Sequence, residues 1–142
     1  MSPIHILLVE DNPGDIRLTR EAIKKGKFQN ELHVVTDGEE AMDFLHHRGA
    51  HVNAPRPGLI LLDLNLPIMD GREVLAAIKK DPSLKRIPVI ILTTSSSDED
   101  IIKSYDLHAN SYISKPVDYQ QFLAVIEQIE SFWLSIVTLP TP

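Results

Sequence analysis

GLILLDLNLPIMDG, residues 58–71, sets four apolar residues, Leu59 to Leu62, against a single carboxylate, Asp63. Asn65, Pro67 and the pair Asp70-Gly71 then punctuate a loop. A short, unbroken apolar run between turn signals suits a strand buried on both faces of a parallel sheet. An aspartate at the C-terminal end of such a strand lies where open parallel sheets keep their ligand crevices. Taken alone, the stretch is equally a strand that ends at a polar residue.

Working outward, four more segments have the same build. Residues 4–9 (IHILLV) end at Glu10-Asp11, and 31–36 (ELHVVT) form a short strand before Asp37. Residues 88–92 (PVIIL) run into Thr93-Thr94, and 111–114 (SYIS) end at Lys115-Pro116. Helical patterns alternate with them. After the Asn12-Pro13-Gly14 turn, Asp15 is read as the cap of a helix whose inner face carries Ile16, Thr19, Ala22 and Ile23. Asp37 caps a helix over about 38–47, with Ala41, Phe44 and Leu45 inward. A helix from Gly71 to about Lys80 turns Val74, Leu75 and Ile78 inward and stops at Asp81-Pro82. Residues 95–100 supply caps for a helix to about Leu107, and Asp118 caps a last helix over about 119–136. Residues 48–57 read as a polar loop without periodicity. Five strands alternating with five helices imply an α/β fold, a parallel sheet covered on both faces.

The 142 residues suit one compact domain, and 43% apolar with 24% charged residues is an ordinary globular balance. The formal charge of −6 and the lack of a basic cluster argue against nucleic acid as a partner. No cysteine is present, so disulfide and thiolate chemistry are excluded. No apolar run reaches the ~18 residues of a membrane span, and the N-terminus lacks a signal-peptide pattern. A cytoplasmic location is the expectation.

In a parallel sheet the ends of these strands share one edge. That edge would gather Glu10, Asp11, Asp63, Thr93 and Lys115. Three crowded carboxylates call for a cation or for raised pKa values. Carboxylates with carbonyls and water are the ligands of Mg2+ (or Mn2+). Asp63 could then act as an aspartyl nucleophile toward a phosphoryl group, with Lys115 and Thr93 on the phosphoryl oxygens.

At these residues the chain resembles the receiver domains of two-component response regulators. The resemblance rests on LLVEDN (7–12), LILLDLNLPIMDG (59–71), VIILTTS (89–95) and YISKP (112–116), with Thr93 30 residues and Lys115 52 residues after Asp63. It implies a five-stranded sheet of order 2-1-3-4-5, a flavodoxin-like (βα)5 three-layer sandwich. It implies phospho-acceptance at Asp63 and metal binding by Glu10 (mainly through water), Asp11, Asp63 and the backbone carbonyl of Asn65. Lys115 would meet the phosphoryl group, Thr93 and Tyr112 would form the switch, and Lys115–Pro116 would be a cis peptide. The long 48–57 loop, LHANSYISKPVD and the FWLSIVTLP ending narrow the likeness to stand-alone receivers serving bacterial, cyanobacterial-type phytochrome histidine kinases. Such a protein is not a conventional enzyme. It takes a phosphoryl group from phosphohistidine and loses it by self-catalysed hydrolysis.

Three departures from the family pattern carry expectations. Glu10 stands where aspartate is common. Thr94 should slow access to Asp63. His108 replaces a frequent glycine and should have φ > 0. Residues 1–131 are expected to be the receiver, with 132–142 an apolar extension and no effector domain. Phe132, Leu134, Ile136, Val137 and Leu139 exceed what the core stripe needs, which suggests an interface. Homodimerisation is favoured, through the tail and the face of the last helix, the fifth strand and the helix before it, over folding-back onto the domain.

Other readings fit less well. His46, His47 and His51 lack the partners of a zinc site. Glu10-Asp11 would repel a flavin phosphate. Asn65 replaces the second aspartate of a haloacid-dehalogenase phosphatase. The serious alternative is a phosphorylation-independent interaction module, against which the intact Asp11, Asp63, Thr93 and Lys115 set argues.

Overall fold

The computed structural model describes residues 3–26, 29–94 and 111–128. Five strands, β1 (Ile4–Val9), β2 (Asn30–Val35), β3 (Leu59–Asp63), β4 (Val89–Thr93) and β5 (Ser111–Ser114), form one sheet of order 2-1-3-4-5. Every pairing is parallel. The helices are α1 (Pro13–Lys24), α2 (Gly38–Leu45), α3 (Gly71–Lys80) and α4 (Tyr119–Gln128), with a 3-10 turn at Gly49–His51. The helix expected to about Leu107, His108, and the tail with Phe132, Leu134, Ile136 and Val137 lie outside the described residues.

All five residues of β3 and all five of β4 are buried, which is why these strands read as unbroken apolar runs. Alternation along them splits the core into two layers. Leu7, Val9, Ile60, Leu62 and Ile91 meet Phe44, Leu45, Val74, Leu75 and Ile78 from α2 and α3. Ile6, Leu8, Leu61, Ile90 and Leu92 meet Ala22 and Ile23 of α1 and Phe122, Val125 and Ile126 of α4. Each fully buried Leu or Ile contributes about 1.5–3 kcal/mol relative to exposure, so β3 alone anchors both layers.

Three local details differ from the sequence reading. Asn12, not Asp15, caps α1: its side chain accepts the Asp15 N–H at 3.0 Å. Pro13 takes the first helical position, where its missing N–H costs nothing, and Asp15 is left in the first turn. The second helix stops at Leu45, because His47 takes φ +56° just beyond it. The 48–57 loop is not structureless, since His51 N–H closes a turn on the Arg48 carbonyl at 3.0 Å. The third helix spans the expected residues, with Asp70 accepting the Arg72 N–H at 3.0 Å.

Candidate functional site

The site is built by strand ends. β1 stops at Val9 and delivers Glu10 and Asp11; β3 ends in Asp63, β4 in Thr93, and β5 is followed by Lys115. Parallel register places them along one edge of the sheet, as the sequence spacing implies. Ligand oxygens of Glu10, Asp11 and Asp63 lie within 4.8 Å of one another. Glu10, Asp63 and Thr93 are buried, whereas Asp11, Asn65 and Thr94 are exposed at the mouth.

Lys115 is the hub. Its Nζ lies 2.5 Å from Glu10 Oε1, 3.2 Å from Asp15 Oδ2 and 3.3 Å from Asp63 Oδ2. Its backbone N–H donates to the Thr93 carbonyl at 2.8 Å, which fixes the lysine to the end of β4. The Lys115–Pro116 peptide is cis, as expected. Sequence pattern assigns Asp15 only a capping role. It joins the site because the first turn of α1 stands over Lys115, a contact spanning 100 residues that local pattern cannot reveal.

Glu10 is the most perturbed member. Burial pushes its carboxyl up to about 7, the Lys115 ammonium opposes this, and the Asp63 charge adds to the rise. Its Oε2 accepts the N–H groups of Asp11 and Asn12 at 3.1 and 3.2 Å. Its Oε1 pairs with the Lys115 ammonium. Burial alone would lower the pKa of Lys115, yet Glu10, Asp63 and Asp15 together raise it above the ordinary value. Three carboxylates therefore face one ammonium, and Asp11 adds a fourth beside Glu10 and Asp63. This surplus of oxygen charge fits a hard dication such as Mg2+ or Mn2+.

The loop after Asp63 is held tightly. Asn65 N–H donates to Asp63 Oδ1 at 3.2 Å, and Gly71 N–H to the Leu64 carbonyl at 2.9 Å. A Cβ on Gly71 would fall 2.2 Å from the Asp63 carbonyl oxygen and 2.6 Å from Leu64 Cα, so only glycine lets α3 start so close to the strand end. Between them Ile68 is 76% exposed and has φ +69°, a left-handed backbone that a β-branched residue rarely adopts. Tyr112 is partly buried against the α2–α3 core layer.

A family model described as the response regulator receiver domain matches residues 6–127. The chain belongs to this receiver family. Response regulator Rcp1 of Synechocystis sp. is 53% identical over 138 residues, which cover 97% of this chain and 94% of Rcp1. The Mn2+-bound crystal structure of Rcp1 superposes with a TM-score of 0.78, over 98% of this chain and all of that one. The bacteriophytochrome response regulator AtBRR is 43% identical with a TM-score of 0.87, covering 94% of this chain and 96% of its own. The phosphorylated cyanobacterial phytochrome response regulator RcpA gives 49% identity and 0.77, over 99% and 98%. The receiver fold expected from sequence is thus borne out, as is the likeness to phytochrome response regulators. No described helix is long and apolar enough to cross a membrane.

His46, His47 and His51 do not converge. His46 faces Asp81 at 3.7 Å and His51 faces Glu40 at 3.2 Å, two separate pairs. The sequence disfavours a zinc site there, and the receiver geometry keeps these histidines apart.

Proposed function

We propose that this receiver accepts a phosphoryl group on Asp63 from the phosphohistidine of a histidine kinase, and later loses it to water. The observation that carries the reading is the convergence of Glu10, Asp11 and Asp63 within 4.8 Å beside the Lys115 ammonium. Asp63 Oδ forms the bond to phosphorus as the phosphorus–nitrogen bond breaks, and the imidazole leaves with the electron pair. Lys115, 3.3 Å from Asp63 Oδ2, is placed to meet the phosphoryl oxygens, and the Thr93 hydroxyl can donate to them. Glu10, Asp11, Asp63 and the Asn65 carbonyl would hold Mg2+ or Mn2+. When bound, that ion neutralises charge gathered in the transferring group.

The acyl phosphate adds negative charge to a sheet edge already crowded with it. Thr93 and Tyr112, on adjoining strands, are the two-state element this charge would bias. The kinase is of the phytochrome type, in keeping with the named relatives. Output runs by protein contact in the cytoplasm rather than through nucleic acid. The receiver unit is residues 1–131, and the apolar residues Phe132, Leu134, Ile136 and Val137 serve a homodimer. Truncation of residues 132–142 should then shift the association state, and an unchanged sedimentation profile would remove the tail from the interface.

The deciding experiment is intact mass after incubation with a small-molecule phosphodonor, with and without Mg2+, beside Asp63→Asn. A Mg2+-dependent gain of one phosphoryl group, absent in the variant, is expected. No gain under any condition would overturn the reading and leave a phosphorylation-independent interaction module.

A further inference from the structure

The receiver chemistry leaves a second ligand cluster unused. It lies at the start of β1 and β2, the sheet edge opposite Asp63. The β1–β2 register sets His5 beside Glu31 and Leu7 beside His33. His5, Glu31 and His33 therefore share one face, with His33 diagonal to His5. His5 Nδ1 lies 3.0 Å from His33 Nε2 and 3.2 Å from Glu31 Oε2, and all three ligand atoms fall within 4.8 Å of one another.

Proton counting makes this arrangement unusual for a structural contact. With both imidazoles neutral, either one inward N–H serves the contact between His5 Nδ1 and His33 Nε2, or two inward N–H groups oppose each other across 3.0 Å. In the hydrogen-bonded form a ring nitrogen and the Glu31 carboxylate, 3.2 Å from His5 Nδ1, compete for that one proton. One dication would satisfy all three. In a tetrahedral zinc site with bonds near 2.0–2.1 Å, adjacent ligand atoms stand about 3.3 Å apart. The observed 3.0 and 3.2 Å need only a few tenths of an ångström of opening.

We propose that His5, Glu31 and His33 form a divalent transition-metal site of the zinc class, with a fourth position open to water. Two imidazoles and a carboxylate are a borderline-soft donor set, which selects Zn2+ over the Mg2+ suited to the all-oxygen cluster at the other edge. The ligands sit on paired strands, so they are held in place before any metal arrives. His33 also packs its ring on Phe44, with centroids 5.5 Å apart, which fixes the imidazole plane. His5 is partly exposed and Glu31 largely so, which gives the ion a path in. Elsewhere among the described residues, histidines meet carboxylates only in pairs, at His46–Asp81 and His51–Glu40.

The test uses the full chain, stripped of metal and kept in excess Mg2+ to fill the acidic cluster. Co2+ is titrated as the visible probe and displaced with Zn2+. One equivalent of Co2+ with the intense visible bands of a low-coordinate N/O site, displaced by Zn2+, is expected. His5→Gln and His33→Gln should each weaken it more than about 10-fold, while His46→Gln and His51→Gln leave it unchanged. A variant that fails to fold is replaced by a measurement on the unaltered protein. Zn2+ should then shift the imidazole NMR signals of His5 and His33 and spare those of His51. No uptake in excess Mg2+, binding that survives both ligand substitutions, or shifts confined to other histidines would each overturn the proposal.

Discussion

β1 begins and ends in chemistry of opposite kind. His5, near its start, faces His33 and Glu31, while Glu10, just past its end, faces Asp63 and Lys115. The two sites are five residues apart on one strand, about 17 Å. One is largely buried, rich in oxygen charge and closed by a lysine; the other is half-open and built of imidazole. A parallel sheet makes this separation automatic, since every strand presents its beginning to one edge and its end to the other.

The largest effect is expected at Asp63. Asp63→Asn should abolish phosphoryl uptake, read by intact mass, while His33→Gln leaves uptake at the parent level. Uptake lost in both would mean that the two edges are not independent.

Next in size is Gly71→Ala. The added Cβ meets backbone at 2.2 and 2.6 Å, which cannot yield as a side chain would. Overpacking of this sort costs about 1–3 kcal/mol, and the urea midpoint should fall accordingly with lower phosphoryl uptake. A variant of parent stability would show that the start of α3 can slide.

The two ends should also respond to pH with opposite sign. The raised Glu10 carboxyl binds its proton more tightly when folded. In metal-free buffer, stability from this group falls as pH rises from about 4.5 to about 7, then levels. Mg2+ affinity should climb over the same range. At the other end, burial and then the neighbouring His5 hold His33 below the ordinary imidazole value, despite Glu31. Its folded form resists protonation, so stability from this group falls as pH drops below about 6.5. Thermal midpoints of Glu10→Gln and His33→Gln across pH should each flatten one slope and keep the other.

The smallest effect belongs to Ile68. Asparagine tolerates a φ of +69° better than isoleucine does, and relief of about 1 kcal/mol is expected for Ile68→Asn, seen as a higher urea midpoint. No gain would mean that contacts of the isoleucine itself offset the strain of this conformation.

Much of this is legible in the sequence because it is local. The apolar runs at 59–62 and 89–92 mark their strands, and Asp70 with Asp81-Pro82 brackets α3 to the residue. The site residues are readable because strand ends converge by topology, whatever the side chains do. What cannot be read depends on registration between distant segments. Asp15 reaches Lys115 across 100 residues, and His33 reaches His5 across 28. No periodicity encodes either meeting. Asn12 and Asp15 are also interchangeable by pattern at the α1 cap, since both are good capping types and only backbone geometry separates them. The histidine-rich stretch 46–51 draws attention by its density, yet the convergent histidines are the two isolated ones on strands.

Lys115 has one more consequence. Its ammonium is shared among β1, β3 and the first turn of α1 through Glu10, Asp63 and Asp15. A newcomer that claims Nζ must loosen one of these ties, and the Asp15 link is the one from a helix rather than from the sheet. A group on Asp63 would then reach the α1 side of the site through this shared ammonium. A protein resting on α1 would be told of the event by a carboxylate left without its cation.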